Sequence, residues 1–294
     1  MKITSYIGSF LKNSMLALLI AMFALSLSSC EKDDTSEFVG IAKTTSLYAL
    51  ADINSIYNFS VVHRVMNDTA LMYNDTAIID SALVTRFAEP GGLVSYVVDY
   101  GEQTLARDGR IKSGKIKIFS YPDSVPEGAW AYATLLNYII DDVRCQGDMK
   151  YIRTGEVING QPKFTFDVSV GCEYAEGKVV IASEKEMFQT AGLDDPLKFD
   201  LLRFDVMFTM IGTYSGSTQA NIATANFITE IEAPWPIDFG CAKILRPAEA
   251  TITVKTSDGK TQTLIESLID TDLDGCVDKV MLKDDKNFGF PFYI

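Results

Sequence analysis

Three regimes of hydrophobic patterning follow one another along this chain of 294 residues. The first is a compact apolar block, Met15 to Leu27, preceded by Lys2 and Lys12 and followed by Ser28, Ser29 and Cys30. It is shorter than the ~20 residues a membrane-spanning helix needs. A basic start, a short apolar core and small residues at its end predict a secretory signal over residues 1–29. Residues 30–46 are polar and charged and read as a tether. In the second regime Leu47, Leu50, Ile53, Tyr57, Val61 and Val65 recur at spacings of three and four. That period predicts one amphipathic helix, and residues 47–90 are read as this helix and a lead-in strand.

From Thr76 onward the period drops to two. Phe164, Phe166, Val168 and Val170 alternate with Lys163, Thr165, Asp167 and Ser169, the signature of a half-buried strand. Phe204, Val206, Phe208 and Met210 repeat it, as do Ile252 and Val254 among threonines. Asn159-Gly160 and Asp258-Gly259 predict tight hairpins, because both central residues of the favoured two-residue turn need positive φ. Strand patterns joined by short turns predict a mainly β fold: an antiparallel meander, as a twisted sheet or sandwich, over residues 91–294. Gly192 to Pro196 is a candidate boundary between two lobes.

The end of the apolar block changes the picture of where the protein resides. Leu27-Ser28-Ser29-Cys30 resembles a bacterial lipobox, in which the cysteine is acylated and becomes the first residue of the mature chain. Two or more acyl chains, at roughly 0.8 kcal/mol per buried CH₂, hold a soluble domain on a bilayer. Glu31-Lys32-Asp33-Asp34 resembles the export signal of Bacteroidota surface lipoproteins. On that likeness Lys32, Asp33 and Asp34 direct the protein to the exterior face of the outer membrane, and its membrane partner is reached through the lipid on Cys30.

The whole chain carries 26 Lys and Arg against 39 Asp and Glu, a net charge of −13. Removing residues 1–29 takes away Lys2 and Lys12 and no acid, so the mature part holds 24 bases and 39 acids, or −15. Such acidity argues against nucleic-acid binding, which needs clustered Lys and Arg. It favours solubility and is compatible with calcium.

With Cys30 assigned to lipid, Cys145, Cys172, Cys241 and Cys276 remain. They are an even set in an oxidising compartment, and three pairings are open. Hairpin arithmetic selects one. Facing residues about Asp258-Gly259 sum to 517, as 241 and 276 do; about Asn159-Gly160 the sum is 319, and 145 and 172 give 317. Directly opposed residues lie about 4.5–5.5 Å apart at Cα, within bridging distance. No Cys-x-x-Cys spacing supports zinc.

The sharpest chemical motif is Asp270-Thr271-Asp272-Leu273-Asp274-Gly275, with Asp278 next in step. Alternate acids before a glycine can wrap Ca²⁺, although Met281 stands where an EF-hand places its bidentate Glu. The competing reading is a solvated acidic turn. His63 is the only histidine and lies in the expected helix, where packing is the simpler role. Trp130 and Trp235 are candidates either for sugar stacking or for capping a core edge. Asp68-Thr69-Ala70, Asp75-Thr76-Ala77, Asp80-Ser81-Ala82 and Asp123-Ser124-Val125 resemble the Asp-Ser/Thr-aliphatic acceptor of Bacteroidota O-glycosylation, which marks Thr69, Thr76, Ser81 and Ser124.

Further residues carry a wider likeness. Val98-Asp99-Tyr100-Gly101, Asp108-Gly109-Arg110, Gly114-Lys115-Ile116, Gly212-Thr213-Tyr214-Ser215-Gly216, and Cys241 with Asp274-Gly275-Cys276 follow one another in order. In these the chain resembles outer-envelope lipoproteins of the Bacteroidota with a lipobox and a β-rich domain, over roughly residues 93–283. Residues 129–144 depart most. The resemblance implies a β-rich envelope protein and no particular activity. The expectation is therefore a surface-anchored outer-membrane lipoprotein of binding or scaffolding type, with an unknown protein or glycan partner and no evident catalysis. The alternatives are a glycan-binding or glycan-processing accessory lipoprotein, and a carrier of an apolar ligand.

Overall fold

The computed structural model describes residues 34–120, 130–191, 207–220 and 224–294. The chain divides into two units at Val39 and Gly40. Of that first unit only the opening of a helix is described; the strands all belong to Gly40–Ile294. Cys30, Lys32 and Asp33 lie outside the described residues, and Asp34 is the first residue of the helix.

Helix α1 runs from Asp34 to Asn67, and a short α2, Thr69–Tyr73, follows it with Asp68 capping the Leu71 N–H at 2.9 Å. The strands then come in chain order: β1 (Thr76–Ile79), β2 (Ala82–Ala88), β3 (Val94–Asp99), β4 (Thr104–Leu105), β5 (Ile111–Ser120), β6 (Trp130–Ile140), β7 (Val143–Ile158), β8 (Gln161–Tyr174), β9 (Gly177–Ala191), β10 (Met207–Ala220), β11 (Thr224–Asp238), β12 (Ala248–Thr256), β13 (Thr261–Ile269), β14 (Lys279–Lys283) and β15 (Gly289–Tyr293). They form one antiparallel sheet in which sequence neighbours are sheet neighbours, except that β4 is a spur paired to β5. The mainly β meander with an N-terminal helix is as the hydrophobic periods predict. The lobe boundary at 192–196 falls outside the described residues; the strands on either side of it, β9 and β10, pair directly.

The helix departs from the sequence reading at its start. Residues 40–46, assigned to a tether, are helical, and Thr44, Thr45 and Ser46 are buried. Their hydroxyls are satisfied by carbonyls of their own helix: Thr44 donates to Gly40 at 3.0 Å, Thr45 to Ile41 at 2.8 Å and Ser46 to Lys43 at 2.8 Å. Such local bonds let polar residues enter a core without partners from elsewhere. Ser55 and Ser60 do the same with Asp52 and Tyr57.

Burial also extends around the helix rather than along one stripe, as expected for a helix enclosed by other elements. Tyr48 stacks on Phe227 of β11 and hydrogen-bonds Thr229. Phe59 meets Tyr151 of β7 and Phe166 of β8. Asn58 accepts from Tyr138 of β6, and Asp52 pairs with Lys185 of β9. The sheet thus curls round α1. Arg107, before β5, draws together parts far apart in the strand order by donating to the carbonyls of Phe239 and Gly240 beyond β11.

Both cysteine pairs are bonded, Cys145–Cys172 with Cα atoms 4.1 Å apart and Cys241–Cys276 at 5.5 Å. For the first the hairpin arithmetic holds. Asn159 and Gly160 have φ of 54° and 80°, pairing starts with Ile158 opposite Gln161, and a bulge between Arg153 and Val157 removes two from the sum. Cys145 then faces Cys172 directly. For the second the pairing is right but its derivation is not. Lys255 opposes Thr261, a sum of 516, and only Gly259 of the turn has positive φ. Cys241 and Cys276 lie beyond the strand ends, so their bridge ties the β11–β12 loop to the β13–β14 loop.

Candidate functional site

Two clusters of ionisable groups lie inside the curled sheet. Lys112 of β5 is fully buried, 3.0 Å from Asp80 in the β1–β2 turn and 3.2 Å from Asp108. Its ammonium also sits 3.7 Å from the centre of the Tyr57 ring. Asp80 accepts from the Tyr57 hydroxyl at 2.6 Å, the Tyr100 hydroxyl at 2.8 Å and the Arg107 backbone at 3.1 Å. Burial raises the Asp80 pKa, but Lys112 and the two phenols outweigh it and hold the carboxyl below its ordinary range. Asp108, with fewer donors, is pushed up by burial. Tyr100 and Asp108 supply side chains to this cluster, and the Tyr100 N–H donates to the Gly114 carbonyl at 3.0 Å. Gly114 has φ of +79°, and a Cβ there would sit 2.1 Å from the Asn137 carbonyl oxygen.

The second cluster pairs Lys185 with Asp52 at 2.6 Å and Ser183 at 2.8 Å. Nearby Glu266 of β13 is buried; desolvation, helped by Asp52, raises its pKa to about 8. One carboxyl raised and another lowered is the pattern of an acid–base pair. Yet the side chains of Lys112 and Asp80 are 0% exposed and that of Asp108 is 4%. These groups neutralise one another in the core, out of a substrate's reach. His63 is likewise structural. It packs against Phe59, Phe164 and Phe239, meets the Tyr151 hydroxyl at 3.0 Å, and is held neutral by burial, with its pKa lowered to about 3.

The accessible chemistry is on the outside. Strand alternation sends Ala131 and Ala133 inward and Trp130, Tyr132 and Thr134 outward from β6. Register places Tyr132 between Phe119 of β5 and Lys150 of β7. One row of the outer face therefore reads Phe119, Tyr132, Lys150, Asp167 and Glu184 across β5 to β9, and the register continues through the buried Ser95 of β3 to Phe87 of β2. Leu93, Phe119, Trp130, Tyr132, Lys150 and Ile152 line an open trough of ≈ 560 Å³. Lys117 caps the Phe119 ring, 4.5 Å from its centre.

Next to the trough lies a second concavity, of ≈ 410 Å³, whose lining mixes polar side chains, Thr134, Gln146, Asp148, Ser169 and Lys178, with Val170 and the exposed Val180. Glycines shape it. Gly171 presents no side chain on the outer face, and a Cβ there would come 3.3 Å from the Lys178 stem. Gly147 has φ of +134°, and its Cβ would meet the Ser169 carbonyl oxygen at 2.1 Å. Asp148 joins the two hollows. It accepts from the Thr134 hydroxyl at 2.8 Å, and its hydrogen bond with the Tyr132 phenol raises the phenol's pKa.

Of the two tryptophans, only Trp130 is on this surface. Trp235 is buried, with its indole N–H on the Glu249 carbonyl at 2.8 Å. The acidic loop is partly convergent. Asp270, Asp272 and Asp274 bring carboxylate oxygens within 4.8 Å of one another. Asp278 does not join them, because the N–H and hydroxyl of Thr271 occupy its carboxylate. Asp270 is itself tied to the backbone of Leu273 at 2.6 Å and Gly275 at 2.7 Å.

Thr76 and Ser81 are exposed, but the Asp80 that precedes Ser81 is buried in the lysine cluster. The Thr69 side chain and all of Ser124 lie outside the described residues. Nothing in the spacing of Phe119, Tyr132 and Asp148 announces the outer-face site. The legible signal was Trp130-x-Tyr132-x-Thr134, bulky and polar residues in the outward phase of a strand. No helix among the described residues is long and apolar enough to cross a membrane. Comparison with protein-family models, curated proteins and solved structures found no match to this chain.

Proposed function

We propose that this protein is a lipid-anchored component of the bacterial outer envelope that works by binding, through the outer face of β5 to β9, and not by catalysis. One observation carries the binding part. The inner face of the sheet is spent on α1, whereas the outer face keeps an aromatic trough joined to a polar hollow. Aromatic side chains lined up on a solvent-facing sheet lose the benefit of burial, and such patches mark contact surfaces. The anchoring part rests on the signal-like residues 1–29, Cys30 and the Lys32-Asp33-Asp34 run. The carrier alternative is weakened, because the space a carrier would give its ligand is where Tyr48, Phe59 and Val61 pack.

The anchor is tested by fractionation and protease shaving of intact cells. Cys30→Ala should move the protein from the detergent phase to the soluble fraction. Alanine at Lys32, Asp33 and Asp34 should keep the lipid and abolish shaving. A membrane-bound Cys30→Ala protein would end the anchor reading, and equal shaving of both forms would end the display reading.

A further inference from the structure

Resting on that binding face, we propose its ligand class: a neutral oligosaccharide that spans the aromatic trough and the polar hollow together. Three features of the site select this chemistry. Trp130 and Tyr132 are two residues apart on β6, so their rings stand about 7 Å apart along the strand. Phe119 lies beside Tyr132 on the adjacent strand. These are flat apolar surfaces with polar tips, suited to the C–H face of a sugar ring. A purely apolar ligand would use them too, and could touch Val180, but it would leave the amide, carboxylate and hydroxyl of the neighbouring hollow without partners.

That hollow is the second feature. Gln146, Asp148 and Ser169 supply an amide, a carboxylate and a hydroxyl within one concavity, so donors and acceptors alternate as ring hydroxyls require. Asp148 is held by the Thr134 hydroxyl at 2.8 Å, so one acceptor is fixed at the junction of the two hollows. Its position lets one ring stack on Tyr132 while the next is read by hydrogen bonds.

The third feature is extent and charge. From Phe119 on β5 to Lys178 on β9 is four strand spacings, roughly 19 Å, longer than a single sugar ring. The site mixes Lys150 and Lys178 with Asp148, so no single sign dominates locally, and the net charge of −13 on the chain disfavours an anionic ligand. At Gly171 the floor of the hollow carries no side chain, and a Cβ there would crowd the Lys178 stem at 3.3 Å.

The test uses the full-length lipoprotein in detergent, with linear hexasaccharides of β-1,4-linked glucose, β-1,4-linked xylose, α-1,4-linked glucose and β-1,4-linked mannose as probes, and palmitate as the apolar control. Trp235 is buried, so acrylamide quenching reports on Trp130. At least one hexasaccharide should protect Trp130 from the quencher. Tyr132→Ala should weaken that binding tenfold or more, and Gln146→Ala and Asp148→Ala several-fold. In calorimetry Trp130→Ala should match Tyr132→Ala. Melting temperatures should move by no more than about 2 °C, since these are surface changes. Sugar binding that survives both aromatic substitutions would overturn the site. Protection by palmitate and by no sugar, lost in Tyr132→Ala, would overturn the ligand class and leave the binding face standing. No protection by any probe would overturn the oligosaccharide inference and withdraw support from the binding face as well.

Discussion

Lys112→Met is the substitution that most directly interrogates the interior. The change keeps the unbranched stem and removes the ammonium that sits 3.0 Å from Asp80 and 3.2 Å from Asp108. Breaking a buried pair by deleting one partner costs about 3–5 kcal/mol, because the other charge stays behind. The lost contact with the Tyr57 ring adds roughly 0.5–2 kcal/mol. Asp108 limits the damage. Its pKa is already raised by burial, so it can take up a proton and leave a single uncompensated carboxylate, Asp80. Asp80 keeps the hydrogen bonds of Tyr57, Tyr100 and the Arg107 amide. The net expectation at neutral pH is a loss of about 4 kcal/mol, or roughly 8–16 °C in Tm for a domain of this size. The assay is urea unfolding of Lys112→Met, Asp80→Asn and the double variant at pH 7 and at pH 5. The double variant retains no obligatory buried charge, so its loss should fall at least about 2 kcal/mol short of the sum of the singles. The sign with pH follows from linkage. In the native protein the Asp80 pKa is depressed, so its contribution is present above the unfolded value and is lost as pH falls through the folded one. In Lys112→Met the same carboxyl has lost its cation and its pKa rises, so the deficit should shrink from pH 7 to pH 5. Additive losses, or a deficit independent of pH, would refute the account of this cluster.

Glu266→Gln should act in the opposite direction. With a folded pKa of about 8 against 4.5 unfolded, the native carboxyl loses stability as pH rises from 4.5 to 8, so the amide should be the more stable form at pH 8.5, by up to about 5 kcal/mol, and near neutral at pH 4. A variant less stable than the parent at pH 8.5 would show that Glu266 is held as an anion. Non-reducing peptide mapping should recover Cys145–Cys172 and Cys241–Cys276, and loops of 27 and 35 residues imply about 3.5–4 kcal/mol for each on the chain-entropy account; a Cys145–Cys276 link would overturn the register of β7. Melting curves in EDTA and in several millimolar calcium should coincide, since Asp278 faces Thr271 and Asp270 is bound by its own loop. A rise in calcium abolished by Asp272→Asn would instead establish a weak site, with affinity on the order of 10⁻⁴–10⁻³ M.

What the sequence discloses here depends on how local the cause is. Asn159-Gly160 fixes its hairpin through two adjacent backbone angles, and the strand from Gln161 to Tyr174 announces itself by strict alternation. The start of α1 was hidden because Thr44, Thr45 and Ser46 look like linker residues until their hydroxyls are seen bonded to the helix's own carbonyls. The Asp258-Gly259 turn misled by one residue, since only Gly259 takes the left-handed conformation. Ionisable residues in an apolar phase were a legible warning. Lys112 keeps step with Ile116 and Ile118, Lys185 with Val179 and Ile181, and Glu266 with Leu264 and Leu268. Their partners were not legible, because Asp80 and Asp52 come from a turn and a helix far away in sequence. The outer-face row needed the register of each intervening strand pair before Phe119 and Tyr132 became neighbours.

The enclosure of α1 carries a consequence for the order in which the molecule can assemble. The helix is synthesised before the strands that surround it, yet Asp52 waits 133 residues for Lys185 and Tyr48 waits 181 for Thr229. Closing such long loops is entropically slow, and a chain rich in distant pairings folds late relative to its synthesis. Until β11 arrives, the aromatic and aliphatic surface of α1 has no complete cover. A chain truncated before Thr224 would lack the Phe227 ring and the Thr229 hydroxyl that Tyr48 meets, and it should be recovered as aggregate or degraded rather than as a smaller folded domain.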